Sequence, residues 1–318
     1  MSRKIDVCQA AALLKQAGPV LILTHRRPDG DTVGSAAALC RALRDLGKEA
    51  YLLKNHGITA TYAPYAEGLW AAEDYVPATV VSVDTAALSL FIDNAEQYKS
   101  RVDLAIDHHG SQEFFAAETC LEAESAACGE VVYDIIRHMT PITAEIALPL
   151  YVAISTDCGC FQYGNTTPRT HRIAAELMEL VDVRDVNKAL FRTKSPVRLK
   201  MESRMVEEMT LHDGNRVVVM SIPLSLRREM NATEADIEEL SSLAALVEGT
   251  DCGITLRELR EGVIKISLRS TGPRVDASAV CAQLGGGGHR GAAGATVEGT
   301  MAEVKAAVLA AVSKVTEA

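Results

Sequence analysis

Asp29 and Asp31 stand one residue apart in Thr24-His-Arg-Arg-Pro-Asp-Gly-Asp-Thr-Val-Gly-Ser35, shortly after His25. Acids so closely paired repel one another unless a cation lies between them, and an imidazole beside them completes a donor set suited to Mn²⁺, Mg²⁺ or Fe²⁺. Asp84 closes one apolar run, Asp107-His108-His109 closes another, and Asp157 lies in Ser155-Thr-Asp-Cys-Gly-Cys160. Taken singly, Asp84 and Asp157 read as turn or helix-cap residues. Taken together, the four clusters read as one centre for two divalent cations. Two such ions about 3.5 to 4 Å apart clamp the attacking and leaving oxygens of a phosphoryl displacement. Asp29, Asp31, Asp84 and Asp157 would balance the charge of both ions, with His25 and His108 as neutral ligands.

The elements around these residues alternate. An amphipathic helix opens the chain, and short apolar runs at 19–24, 50–53, 78–83 and 102–106 read as buried strands. Helical patterns separate them, the first over Val33–Leu46. Such alternation predicts an α/β fold with a largely parallel sheet, whose ligands sit beyond the carboxyl ends of the strands. Three of the four clusters follow a predicted strand. From Ser125 to Arg204 the pattern is helical, with Asp157 just after a helix over Ile142–Thr156. Strands return at 216–222, 253–256 and 263–268, with a helix over Thr233–Val247 capped by Thr233. The expected organisation is a domain over 1–190, a helical linker over 191–210, and a smaller α/β domain over 211–318.

Together these motifs resemble those of the DHH phosphoesterases. They follow the family's order: His25-x-x-x-Asp29-x-Asp31, Asp84, Asp107-His108-His109, Asp157. Gly285-Gly-Gly-Gly-His-Arg-Gly-Ala-Ala-Gly294, with Ser267-Leu-Arg-Ser270 before it, is similar to the DHH-associated domain. The two-domain form looks most like the group of bifunctional oligoribonucleases and PAP phosphatases called NrnA-type. The resemblance implies one ion on His25, Asp29 and Asp84 and a second on Asp31, Asp84, His108 and Asp157, most often Mn²⁺. It also implies that Asp107 orients His108 and that His109 faces the substrate phosphate. Arg269, Ser270, Gly286, Gly287, Gly288 and His289 would bind the terminal nucleotide. Cys158-Gly-Cys160 departs from the family's Thr-Gly after the aspartate, a change expected to alter packing rather than ligation, although thiols beside a metal could bias metal choice or oxidise.

Composition sharpens the substrate class. The net charge is −10, which disfavours long duplex nucleic acid and anionic membranes as partners. Aromatic residues make up 4% of the chain, too few for a long channel that stacks successive bases. A locally basic run, Arg184, Lys188, Arg192, Lys194, Arg198, Lys200 and Arg204, reads either as a solvated helix face or as the wall of a cleft for a short anionic strand. The eight cysteines form no C-x-x-C pair, and no signal peptide or membrane span is evident, so a cytoplasmic protein with reduced thiols is expected. The expected activity is hydrolysis of very short RNA and of 3′-phosphoadenosine 5′-phosphate (PAP), by a chain that could form a homodimer. Cyclic or linear dinucleotide hydrolysis, a pyrophosphatase and a non-catalytic nucleotide-binding regulator are the rivals.

Overall fold

The computed structural model describes residues 2–316. The chain forms two compact units, Met1–Thr193 and Lys194–Ala318. In the first, β1 (Arg3–Ile5), β2 (Val20–Leu23), β3 (Ala50–Leu52), β4 (Thr79–Val83), β5 (Leu104–Asp107) and β6 (Glu118–Leu121) make one sheet in the order β1-β6-β5-β4-β2-β3. Every neighbouring pair is parallel. The sequence offers no long apolar run at β1, one edge of the sheet, or at β6 beside it, which is why neither is predicted. Around the sheet lie α1 (Val7–Gln16), α2 (Gly30–Asp45), α3 (Cys128–Arg137), α4 (Ala144–Asp157), α5 (Pro168–Met178) and α6 (Arg184–Asn187).

Two helices bring the chemistry together. α2 starts at Gly30, ahead of the expected Val33, because the Asp29 side chain caps it by accepting from Thr32 N at 3.0 Å. Asp29 is therefore both a cap and a candidate ligand. Gly34 lets α2 cross α4 closely: a Cβ there would lie 2.3 Å from the Pro149 carbonyl oxygen. Asp157 is the last residue of α4 rather than the residue after it. A carboxylate at that end meets the negative pole of the helix, an arrangement that favours a cation beside it.

The basic run does not form one continuous stripe. After α6 the backbone widens over Lys188–Arg192, with Thr193 N donating to Lys188 O at 2.9 Å, and extends before α7 (Pro196–Glu207). Arg184 pairs with Asp182, Lys194 and Arg198 with Glu202, and Arg204 with Glu208 and Glu229. α7, in the segment expected to be a linker, buries Met201 and Met205 against Val218, Met220 and Leu226, so it contributes to the core of the second unit.

That unit continues through β7 (Thr210–His212), β8 (Val217–Ile222), α8 (Leu224–Glu229), α9 (Glu234–Ile237), β9 (Cys252–Arg260), β10 (Val263–Ser270), α10 (Ala277–Ala282), β11 (Gly287–Gly288), β12 (Ala292–Glu298) and α11 (Met301–Thr316). Its sheet runs β11-β12-β10-β9-β8-β7, with only β8 and β9 parallel. The helix expected over Thr233–Val247 is instead the single turn of α9 followed by a tighter 3-10 stretch, Glu238–Leu246. The Ser241 carbonyl accepts from Thr255 Oγ1 at 3.2 Å, which ties this stretch to β9. Thr233 does not cap through its oxygen; its hydroxyl donates to Asp236 at 2.6 Å. Among the described residues no helix is long and apolar enough to cross a membrane.

Candidate metal centre

The structure gathers His25, Asp29, Asp31, Asp84, His108, His109 and Asp157 at the carboxyl ends of β2, β4 and β5 and the end of α4. Three overlapping groups have ligand atoms within 4.8 Å of one another: His25, Asp29 and Asp84; Asp31, His108 and Asp157; Asp84, His108 and His109. Asp84 joins the two sides. Its Oδ2 lies 3.9 Å from His25 Nε2, and its Oδ1 lies 3.7 Å from His108 Nε2 and 3.6 Å from His109 Nδ1. His108 Nε2 is also 3.7 Å from Asp31 Oδ2 and 4.0 Å from Asp157 Oδ2. These separations exceed a hydrogen bond and suit donors that share a central ion about 2.1 Å from each.

Buried charge supports the same reading. Asp31 and Asp84 are 1% and 2% exposed, and Asp84 Oδ1 has no hydrogen-bond partner. Burial pushes both carboxyls well above the ordinary range, and neighbouring carboxylates, Asp84 and Asp157 for Asp31 and Asp29 for Asp84, push them further. Burial also raises Asp157. A cluster of buried acids with an orphaned oxygen is costly unless cations neutralise it. Burial lowers the pKa of His25, which favours the neutral imidazole a metal requires. The donor set therefore fits divalent cations. Asp84 itself adopts a left-handed backbone, φ 53°, an uncommon conformation for a residue other than glycine.

Several partners escaped the sequence reading. The Thr32 hydroxyl lies 2.6 Å from Asp84 Oδ2, 2.6 Å from His25 Nε2 and 3.0 Å from Asp29 Oδ1, touching the whole first group. Asn55 Nδ2 donates to Thr24 Oγ1 and to the His25 carbonyl, and Ser35 Oγ donates to Asp31. Thr32 was reachable from the sequence, since it lies three residues beyond the cap Asp29. Asn55 carried no signal.

One expectation is corrected. Asp107 does not orient the ring of His108, whose Nδ1 instead faces the Ser125 carbonyl at 3.1 Å. Asp107 Oδ1 accepts from the His108 amide at 2.7 Å and from His109 Nδ1 at 2.8 Å, and Oδ2 accepts from Gln112 Nε2. The contact with Asp107 raises the His109 pKa to about 9, against desolvation and with help from Asp84. The nearby thiols stand apart from these groups among the described residues. Cys158 is buried and its pKa is pushed up to about 12, Cys160 is raised by burial too, and neither enters a metal-competent group among the described residues.

In the second unit, the glycine run is ordered into a hairpin. β11 pairs with β12, and the His289 and Ala292 backbones bond each other across its tip. His289 and Arg290 are exposed there. Arg269 is registered opposite Ala292, and Ser270 N donates to Gly291 O, so the end of β10 adjoins the tip. The Ser270 hydroxyl points into its own turn, toward Val275 O at 2.6 Å, and Arg290 donates to Pro273 O.

The sequence matches the DHH family, N-terminal domain, over residues 19–154 and the DHHA1 domain over 214–318. It is 35% identical over 297 residues to the bifunctional oligoribonuclease and PAP phosphatase NrnA of Thermus thermophilus, covering 91% of this chain and 87% of that protein. The protein of the same name from Bacillus subtilis is 25% identical, with 87% and 89% covered. In structure the chain is similar to an exopolyphosphatase-related protein from Bacteroides fragilis, with TM-score 0.88 and 23% identity over 98% of this chain and 96% of that one. It also resembles a Mn²⁺ complex of RecJ from Thermus thermophilus, with TM-score 0.58 and 17% identity over 98% of this chain and 55% of that one. Those two likenesses concern the fold. The chain belongs to the DHH family, with a DHHA1 domain after its DHH domain, and is a relative of the NrnA proteins within it.

Proposed function

We propose that the protein is a phosphoesterase that uses two divalent cations, Mn²⁺ by preference, to release mononucleotides from RNA a few nucleotides long and to dephosphorylate PAP. The observation that carries this reading is Asp84, whose two oxygens face different histidines and so suit a carboxylate shared by two ions. The names of the relatives at 35% and 25% identity supply the substrate class.

His25, Asp29 and Asp84 would hold one cation, and Asp31, Asp84, His108 and Asp157 would hold the other. When bound, the cations supply an ionised water and neutralise charge on the phosphate. The chain's own residues do the rest. Asp107 keeps a proton on His109 Nδ1 and fixes the ring, so that His109 meets the phosphate as a donor. Arg269, Gly287, Gly288 and His289 bind the terminal nucleotide, where exposed backbone and a guanidinium suit an anionic ligand, while Ser270 and Gly286 shape the turn and the hairpin that present them. Short single strands, not long duplexes, fit the acidic net charge and the scarcity of aromatic residues.

The test is incubation of purified protein and Mn²⁺ with a labelled trinucleotide, PAP, a cyclic dinucleotide and pyrophosphate. Mononucleotides from the trinucleotide and AMP from PAP are expected. A trinucleotide and PAP left intact, whatever happens to the other two, would overturn the proposal.

A further inference from the structure

Residues 125–129, leading into α3, touch one half of the metal centre from behind. The Ser125 carbonyl faces His108 Nδ1 at 3.1 Å, and the amides of Cys128 and Gly129 donate to Asp31 at 2.7 and 2.8 Å. The Ala126 carbonyl accepts from Asn165 Nδ2 at 2.9 Å, and the same nitrogen reaches Asp157 Oδ2 at 3.3 Å and the Asp157 carbonyl at 3.2 Å. His108, Asp31 and Asp157 make up one metal-competent group. The side chains of His25 and Asp29 are instead met by Thr32.

An ion pair between a buried carboxylate and a partly exposed arginine secures this segment. Glu130, 1% exposed, takes the Ala126 amide on Oε2 at 3.3 Å and pairs through the same oxygen with Arg169 Nη1 on α5. Arg169 also binds Asp134 and comes within 3.4 Å of Ser125 Oγ. Glu130 Oε1 has no hydrogen-bond partner. A buried carboxylate left half satisfied is poor value for stability alone. Its geometry makes sense as a brace that fixes where Ser125 and the two amides stand.

We propose that Asn165 and Arg169 are positioning residues for only one of the two cations, the one on Asp31, His108 and Asp157, and that they act through residues 125–130. This rests on the two-cation reading above. Partners behind a ligand typically change metal affinity by about 10–100-fold.

The test counts ions directly. Mn²⁺ is titrated into the metal-free full-length protein, and the free ion is read by electron paramagnetic resonance for wild type, Arg169→Gln and Asn165→Ala. Wild type should bind two ions. Each variant should bind one of them about 10-fold or more weakly and the other unchanged. Adding Asp29→Ala to either variant should remove the remaining tight ion, whereas adding Asp157→Ala should leave it. Two ions bound with wild-type affinities, or both weakened alike, would overturn the inference. Asn165 is exposed, so its variant decides the matter if Arg169→Gln does not fold. A wild type that binds a single ion would instead overturn the two-cation reading, and this inference with it.

Discussion

Asp107 gives its carboxylate to the ring of His109 and not to the ring of His108: Oδ1 lies 2.8 Å from His109 Nδ1, while His108 reaches it only through its backbone amide. The two histidines of one motif are therefore oriented by different groups, His109 by a carboxylate and His108 by the Ser125 carbonyl. In Asp107→Asn an amide group replaces one of the two oxygens that accept from four donors, the His108 and His109 amides, His109 Nδ1 and Gln112 Nε2. The ring of His109 loses its orientation and its raised pKa, while the ring of His108 keeps its own partner. We expect kcat on a dinucleotide to fall by about 10–100-fold with two Mn²⁺ still bound. Loss of an ion in that variant would mean that Asp107 governs ligation after all.

Asp84 sets function against stability. Without cations its carboxylate stands buried beside Asp29 and Asp107, relieved only in part by His109 and the Thr32 hydroxyl, with Oδ1 lacking a hydrogen bond, and its backbone is left-handed. Asparagine removes the charge and tolerates that backbone better than most residues. Asp84→Asn should therefore melt about 2–4 °C higher than wild type in excess chelator. Addition of Mn²⁺ should raise the melting temperature of wild type by mass action and leave the variant nearly unmoved, with its activity abolished. A variant less stable than wild type under chelation would show that the acid cluster is not a store of repulsion.

The central strands of the parallel sheet and most of the candidate ligands were legible because these strands are short, largely buried apolar runs and the candidate ligands near them stand where such runs stop. Asp29, Asp84 and Asp107-His108-His109 all obey that rule. The two strands at one side of the sheet were not legible: Arg3–Ile5 at the edge is held by the ladder of β6, and Glu118–Leu121 by the ladders of β1 and β5, more than by their own composition. Nor were the residues that orient the ligands. Ser125 acts through a carbonyl, and Cys128 and Gly129 through amides, which every residue carries, so their side-chain types announce nothing. Asn165 and Arg169 reach the centre from a distant stretch of chain, and only folding reveals that they meet it.

Asp236 ties the second unit together in a pH-dependent way. Its carboxylate accepts from the Ser195 hydroxyl, and then from the Thr233 hydroxyl and amide, and these bonds hold its pKa below the ordinary value. Ser195 in turn caps α7 by accepting from Arg198 N at 3.0 Å. A depressed acid contributes stability that is present above its unfolded pKa and is lost as pH falls through its folded pKa. Asp236→Asn should thus cost about 1 kcal/mol at pH 7, after allowing for solvent screening. The difference should vanish in acid, once pH has fallen through the depressed folded pKa and the wild-type carboxyl is protonated as well. Denaturant melts at the two pH values check this, and an equal cost at both would assign the effect to shape rather than charge.

The glycine run separates into positions that build the hairpin and positions free to serve a ligand. A Cβ at Gly286 would stand 2.1 Å from the Gly294 carbonyl oxygen, a backbone atom that cannot swing aside, whereas at Gly287 it would meet nothing within 4 Å. Gly286→Ala should therefore cost about 2–4 kcal/mol through displaced backbone. Gly287→Ala should melt with wild type. Its added methyl projects from an exposed strand at the tip that carries His289, so on the proposed substrate-binding role it should raise KM for a dinucleotide while leaving kcat nearly unchanged. Steady-state kinetics beside thermal melts separate the two effects. An unchanged KM in Gly287→Ala would remove that residue from the nucleotide-binding surface, and the glycine run would then be explained by the tight pairing at Gly286 alone.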